Sequence, residues 1–232
     1  MELLQPPFDL KGSELFTTRE LGLQSCRISD QDLVVLAQAC ASGALPKLKK
    51  LYMSANQIGD VGMQALAYAV SEGAIPKLEL LDLTNNEIGK DGMTALALVL
   101  GSGALPRLRV LMVAKNDIGD TGLSALAEAA EKGALARLTT LYLHDNSISD
   151  QGMIALASAC DRLPQRLPQL EQISLSDNSI GDTGFSALAD TLSRGALGKV
   201  SFIDLDDNQA TESGKKAMRD VAKAGGFQVE LA

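Results

Sequence analysis

The sequence predicts an α/β solenoid: a curved arc with a parallel sheet on its concave face and helices on its convex face. A segment of the form LxxLxLxxNxIGDxGxxALA recurs, apolar residues alternate before its asparagine, and they follow a helical period after it. The recurring asparagines lie 30 residues apart, with one interval of 32, at Asn56, Asn86, Asn116, Asn146, Asn178 and Asn208. A further copy has Cys26 at this position, so we expect about seven strand-turn-helix repeats.

Each repeat begins with a short predicted strand. In one full copy, Leu81 and Leu83 alternate with other residues just before Asn86, which is the period-2 pattern of a strand. The asparagine closes this strand. Its amide can satisfy backbone N–H and C=O groups where the chain leaves the sheet.

A helix follows each strand, because Met93, Leu96, Ala97 and Leu100 share one helical face. We expect an aspartate to cap the free N–H groups of the helix that it opens. These aspartates are Asp60, Asp120, Asp150 and Asp182. Glycines are expected to end the helices, at Gly43, Gly73, Gly103, Gly133 and Gly195.

The repeats run without a linker, so we predict a single domain. It comprises an N-terminal cap (1–15), the repeats (16–222) and a C-terminal capping strand (223–232). The residues expected to seal the first layer are Phe8, Leu10, Leu15 and Phe16. The alternation in Phe227-x-Val229-x-Leu231 predicts the closing strand, and with both ends covered we expect a complete protein.

These residues resemble the ribonuclease-inhibitor-like class of leucine-rich repeats over about nine tenths of the chain. The resemblance implies an α/β horseshoe. The class also includes the repeat domains of NOD-like receptors and of Ran GTPase-activating proteins. Because a fold does not fix a function, the resemblance alone names no activity.

The composition limits which partners and which cellular compartment we expect for this protein. A net charge of −8 and a pI near 4.7 argue against nucleic acid and anionic membranes as partners. No apolar run approaches the ~20 residues of a membrane span. Three cysteines fit a reducing compartment, and Cys40 and Cys160 occupy a small core position of the repeat, so a cytoplasmic protein is expected.

Candidates for chemistry are few. His144 is the one histidine, no Ser/His/Asp or Cys/His arrangement stands out in the sequence, and only carboxylates lie near it as metal ligands. We therefore expect neither enzyme activity nor a cofactor. Aspartates accumulate on the inner wall, at Asp82, Asp145, Asp177, Asp204, Asp206 and Asp207. Their spacing matches no calcium loop. We interpret them as an acidic wall that attracts a basic partner, the alternatives being a calcium site or a wall without a specific role.

Two further features have alternative interpretations. A basic row lies at the return turns, at Lys47, Lys77, Arg107, Arg137 and Lys199. It could bind phosphate groups, but we favour a structural row whose charges complement helix dipoles and keep molecules apart. The insertion around Pro164 to Pro168 is either a tolerated surface loop or a protruding binding element.

The inward strand positions that vary between repeats carry the functional prediction. The expected contacts with a partner are Tyr52, Leu80, Asp82, Val110, Met112, Tyr142, His144, Phe202, Asp204 and Asp206. Exposed apolar groups on a concave wall, tyrosines above all, are typical of protein contacts. We predict a non-catalytic protein-binding module, as a monomer or as a subunit of a larger complex. The alternative is a GTPase activator resembling the Ran GTPase activators.

Overall fold

A computed structural model describes residues 12–161 and 167–232. Eight parallel strands form one sheet in chain order. The strands are β1 (Glu20–Gly22), β2 (Lys50–Tyr52), β3 (Leu80–Asp82), β4 (Val110–Met112), β5 (Thr140–Tyr142), β6 (Gln172–Ser174), β7 (Phe202–Asp204) and β8 (Gln228–Glu230). The helices are α1 (Gly12–Leu15), α2 (Asp30–Ala41), α3 (Asp60–Ser71), α4 (Lys90–Gly101), α5 (Gly119–Glu131), α6 (Asp150–Asp161), α7 (Asp182–Ser193) and α8 (Glu212–Gly225).

The core lies between the sheet and the helices. The middle residue of each strand points into it, so that Leu51, Leu81 and Leu111 pair in register and are at most 1% exposed. On the other side, Met93 and Leu100 of α4 are buried on the predicted helical face. Neighbouring strands are ~4.8 Å apart, whereas packed helices need ~8–10 Å. The stack therefore curves with the sheet inside, which confirms the predicted solenoid.

The recurring asparagines connect neighbouring repeats. The Asn86 side-chain amide donates to the Leu83 carbonyl of its own turn at 2.9 Å and to the Met53 carbonyl of the preceding repeat at 2.9 Å. Its Oδ1 accepts from the Ile58 N–H of the preceding repeat at 3.1 Å. The predicted role in the turn is therefore confirmed. The bonds to Met53 and Ile58 of the preceding repeat were not predicted, because the sequence of one repeat does not show contacts between repeats.

Contrary to the prediction, the aspartates do not cap the helices that they open but the helices of the next repeat. Asp60 is the first residue of α3, and it does not cap that helix. Its Oδ1 accepts instead from the N–H groups of Gly89 and Gly92, both at 2.8 Å, at the start of the next helix, α4. A Cβ on Gly92 would lie 2.6 Å from this oxygen, so the glycine is required for the approach. Each such aspartate caps the helix of the repeat that follows it.

Two exceptions support this interpretation. Helix α2 has no earlier repeat among the described residues, and its N-terminus is capped by a local capping box between Ser29 and Asp32. Lys90 replaces the aspartate in one repeat. In the following repeat α5 starts one position early, at Gly119, with a φ of 56°. The Gly119 N–H donates to the Asn146 carbonyl at 3.0 Å, so another acceptor replaces the missing carboxylate.

The glycines expected to end helices have positive φ values between 75° and 87° at Gly43, Gly73, Gly103, Gly133 and Gly195. The helices themselves end two residues earlier, as α2 does at Ala41. These glycines therefore lie just past the last helical turn and reverse the chain toward the next strand.

The two ends of the array differ in how they agree with the predicted caps. Leu15 is buried at 3% exposure, but Phe16 is 42% exposed, so its predicted sealing role is wrong. Phe8 and Leu10 lie outside the described residues, as does most of the Pro164–Pro168 insertion. The closing strand is present as β8, which pairs in parallel with β7.

No helix among the described residues combines the length and the apolar composition needed to cross a membrane.

The three cysteines are free and differ in environment. Cys40 and Cys160 are buried in the core, and burial raises the pKa of each thiol to about 12. Cys26 is exposed at the first strand-closing position. Because the thiolate is the nucleophile, the two buried thiols should be unreactive.

We expect one thiol per chain to react rapidly with a disulfide reagent at pH 8 in the native protein, and all three to react in denaturant. Absorbance of the released thiolate measures both values. A Cys26→Ser variant should abolish the rapid reaction. Rapid labelling of that variant would contradict the assignment.

Replacing Asp150 tests the aspartate connection. Asp150→Ala leaves the N–H groups of Gly181 and Gly184 without their acceptor, and we expect a loss of about 1–3 kcal/mol in the free energy of unfolding. Asp91→Ala removes an exposed acid from the first turn of α4 and is the matched control, with a change below ~0.5 kcal/mol. Urea unfolding followed by circular dichroism measures both. Equal losses would disprove the connection.

Candidate functional site

The predicted contact residues flank the core residue of each strand on the inner face of the sheet. In one row Leu80 pairs with Val110, and in the next row Met112 pairs with Tyr142. We call Tyr52, Leu80, Val110, Met112 and Tyr142 the apolar strip. All five are partly exposed, and the register places them on four consecutive strands, β2 to β5.

Asp82 interrupts the apolar strip. It lies between Tyr52 and Met112 in register and is only 8% exposed. Its carboxylate accepts from the Thr84 N–H at 3.0 Å. Asp82 is therefore turned toward its own chain, and its predicted contact with a partner is the least accessible of the set.

A second group of predicted residues meets at a depression of about 440 Å³ over β5 to β7. Tyr142, His144, Phe202 and Asp204 line it. The remaining lining residues are Lys115, Ser174, Ser176 and Asp177. Because Tyr142 belongs to both groups, the apolar strip and this β5–β7 depression form one continuous surface.

Lys115 is the residue that sequence reasoning missed. It lies just before Asn116 with a φ of 54°, and Asp177 occupies the equivalent place before Asn178 with a φ of 53°. Strand alternation has ended at this position, so the pattern of inward residues does not reach it. The constant place before the asparagine is the signal that could have identified it.

Two serines hold Asp204 in the depression. The hydroxyls of Ser174 and Ser176 both donate to Asp204 Oδ2 at 2.8 Å. His144 Nδ1 lies 3.3 Å from Ser174 Oγ. A hydroxyl has one proton, and Ser174 gives it to the carboxylate. We infer that its oxygen accepts from His144, which assigns a proton to Nδ1.

This arrangement differs from a catalytic triad. In a triad the histidine lies between the nucleophilic serine and the acid, and it takes the serine proton. Here Ser174 lies between His144 and Asp204, and its proton faces the carboxylate. Ser174 is also only 6% exposed. The geometry fixes the orientation of His144 and Asp204 and does not activate the serine.

Tyr142 is oriented by its neighbours. Its hydroxyl donates to Gln172 Oε1 at 3.2 Å, and its ring centroid lies 6.3 Å from that of His144. The polar end of the side chain is thereby held at the surface. An oriented ring loses less conformational entropy when a partner binds.

The acidic end of the inner wall has a partly structural role. Ligand atoms of Asp204, Asp206 and Glu230 lie within 4.8 Å of one another. Asp206 Oδ1 accepts from the Ala232 N–H at 2.6 Å, and Asp204 Oδ1 accepts from the Asp206 N–H at 3.2 Å. The three converging ligand atoms, one from each carboxylate, are half or fewer of the six to eight oxygen ligands that Ca²⁺ takes. Their combined negative charge remains the main property of this end.

The repeats of this chain match a known protein family. A family model described as leucine-rich repeat matches residues 44–67, 74–97, 105–127, 137–157 and 167–189. No curated protein gives a significant match.

Two solved structures are similar at low identity. One is the functional domain of InlJ from Listeria monocytogenes, which includes a cysteine ladder. It is 16% identical, with a TM-score of 0.30 over 86% of this chain and 55% of that one. The other is a protein from Bacteroides fragilis, 16% identical, with a TM-score of 0.35 over 81% of this chain and 66% of that one. The chain thus spans just over half of the first protein and about two thirds of the second.

The protonation of His144 can be measured directly, because it is the one histidine. We expect the neutral form of His144 to carry its proton on Nδ1, as long-range ¹H–¹⁵N spectra of the ring report. Asp204→Ala frees the Ser174 hydroxyl to donate, so the proton should move toward Nε2. An Nε2–H ring in the parent protein would contradict the network.

Proposed function

Since this chain belongs to the leucine-rich-repeat family, we propose that it is a non-catalytic module that binds a protein partner through the concave face of its sheet. The apolar strip carries the proposal. Its five side chains are aligned by strand register, partly exposed, and adjacent to the β5–β7 depression. Apolar groups exposed together on a protein surface are typical of interaction sites, and leucine-rich repeats generally mediate protein–protein interaction.

Tyr52, Met112, Tyr142 and His144 are proposed as the central contacts. Tyrosine brings a large, rigid contact area and a hydrogen-bonding end, which is why it is frequent at binding hot spots. Met112 lies between the two tyrosine-bearing ends of the strip, where its flexible side chain can adapt to a partner. Removing this surface from water favours binding by ~25 cal/mol per Å² of apolar area, before the entropic costs of association.

The acidic end supports a partner with a basic surface. Asp204 and Asp206 accept hydrogen bonds from neutral donors, which stabilise their charges without cancelling them. Asp177 of the depression and Glu230 of β8 add to the same negative field. Such a field steers a basic partner toward the concave face and disfavours an acidic one at that end.

We place the protein in the cytoplasm, a proposal supported by its three free thiols. Among residues 12–161 and 167–232, no contact favours the alternative of GTPase activation, which remains a prediction from the resemblance. Single-turnover GTP hydrolysis by small GTPases, with and without the protein, would test it.

Truncating the strip tests the proposed function. In quantitative affinity purification from the native source, Tyr142→Ala with Met112→Ser should lose partners that the parent protein retains, with roughly tenfold weaker binding or more. Tyr68→Ala is the matched control, because Tyr68 is 67% exposed on α3 of the convex face. Circular dichroism confirms that each variant is folded. If the concave variant and the control retain the same partners with the same affinity, the concave site is wrong.

A further inference from the structure

Three arginines converge at the edge of the sheet where β4 and β5 begin. Arg107, Arg109 and Arg137 line one depression of about 300 Å³, together with Glu79 and Pro106. All three arginines are exposed. Arg107 and Arg137 belong to the basic row at the return turns, but Arg109 lies two residues beyond Arg107 and joins them only in the folded protein.

The charge of this arginine cluster is largely uncompensated. Across the described part of the chain, none of the three arginines forms an ion pair within 4 Å. Glu79 is the one acid that lines the depression, and Lys49 holds its carboxylate at 2.6 Å. The Lys49 hydrogen bond, followed by the positive charges around it, lowers the pKa of Glu79, so the acid stays ionised at neutral pH. With Lys49 and Glu79 offsetting each other, about three positive charges remain in a chain of net charge −8.

The backbone under the cluster is fixed by interstrand bonds. The N–H groups of Arg109 and Val110 donate to the Glu79 carbonyl, and those of Thr139 and Thr140 donate to the Arg109 carbonyl. Consecutive strands lie ~4.8 Å apart, so the arginines emerge from adjacent layers. They bring three like charges to one depression, and a bound anion would offset them.

We propose that the arginine cluster binds a phosphomonoester group. Three planar guanidinium groups can contact the three terminal oxygens of one phosphoryl group, and the dianion offsets two of their charges. A single carboxylate offers two oxygens and one charge, so it satisfies the cluster less completely. This site is separate from the apolar strip and does not depend on the proposed function. The group can come from a phosphorylated side chain or from a small phosphorylated molecule.

Titration with three probes tests the site at pH 7.5 and constant ionic strength. The probes are inorganic phosphate, a capped Ala-phosphoserine-Ala peptide and the same peptide with aspartate at its centre. Arginine Nε–H signals, assigned by the loss of each in an Arg→Gln variant, report binding. We expect saturable shifts at Arg107, Arg109 and Arg137 with both phosphate probes, and binding of the aspartate peptide at least ~fivefold weaker.

Matched variants distinguish a specific phosphate site from general electrostatic attraction to the basic row. Arg109→Gln should weaken phosphate binding by about fivefold. Lys199→Gln makes the same change of charge on the same basic row, outside the cluster, and should alter binding by less than about twofold. Tighter binding of the phosphopeptide than of inorganic phosphate would indicate a phosphorylated protein as the source, and the reverse a small molecule. Unsaturable shifts, equal binding of the aspartate peptide, or equal weakening by Lys199→Gln would overturn the proposal.

Discussion

The structure depends on polar connections between layers, because no repeat satisfies its own backbone. Asn86 reaches back to the N–H of Ile58, whereas Asp60 reaches forward to the N–H groups of Gly89 and Gly92. Buried backbone groups without partners are costly, so each layer needs both neighbours. Apolar packing between helices and sheet supplies most of the driving force, and these side chains fix the stacking order. Stability is then a property of adjacent pairs of repeats, as expected for a solenoid.

Much of the fold follows from residues that act within one repeat. Leu81 and Leu83 predict a strand, and Met93 and Leu100 predict a helical face, because each pattern concerns burial of that segment alone. The aspartates were misassigned for the opposite reason. In a chain of period 30, the helix that begins at Asp60 and the equivalent helix of the next repeat share the same glycine and apolar pattern in their first turns. Sequence spacing cannot tell which of the two accepts the cap.

The sequence predicts which residues belong to the candidate site better than it predicts the contacts between them. Alternation placed Tyr142, His144 and Asp204 on the inner wall, and the structure brings them to one depression. It did not indicate that Ser174 would lie between His144 and Asp204, since that contact joins three consecutive repeats. Phe16 is 42% exposed although it is apolar, since residue type alone does not determine burial.

The 32-residue repeat has a consequence for how such an array can change in length. Asp150 and Gly181 are 31 residues apart, whereas Asp60 and Gly89 are 29 apart, yet the Asp150 carboxylate still accepts from the Gly181 N–H at 2.7 Å. The two additional residues leave strand register and capping unchanged. Insertions between a helix and the next strand are therefore nearly neutral to the array, even though they lengthen the sequence between an aspartate and the glycines that it caps. Variation in length should accumulate in the return segments when genes for such repeats are duplicated and diverge.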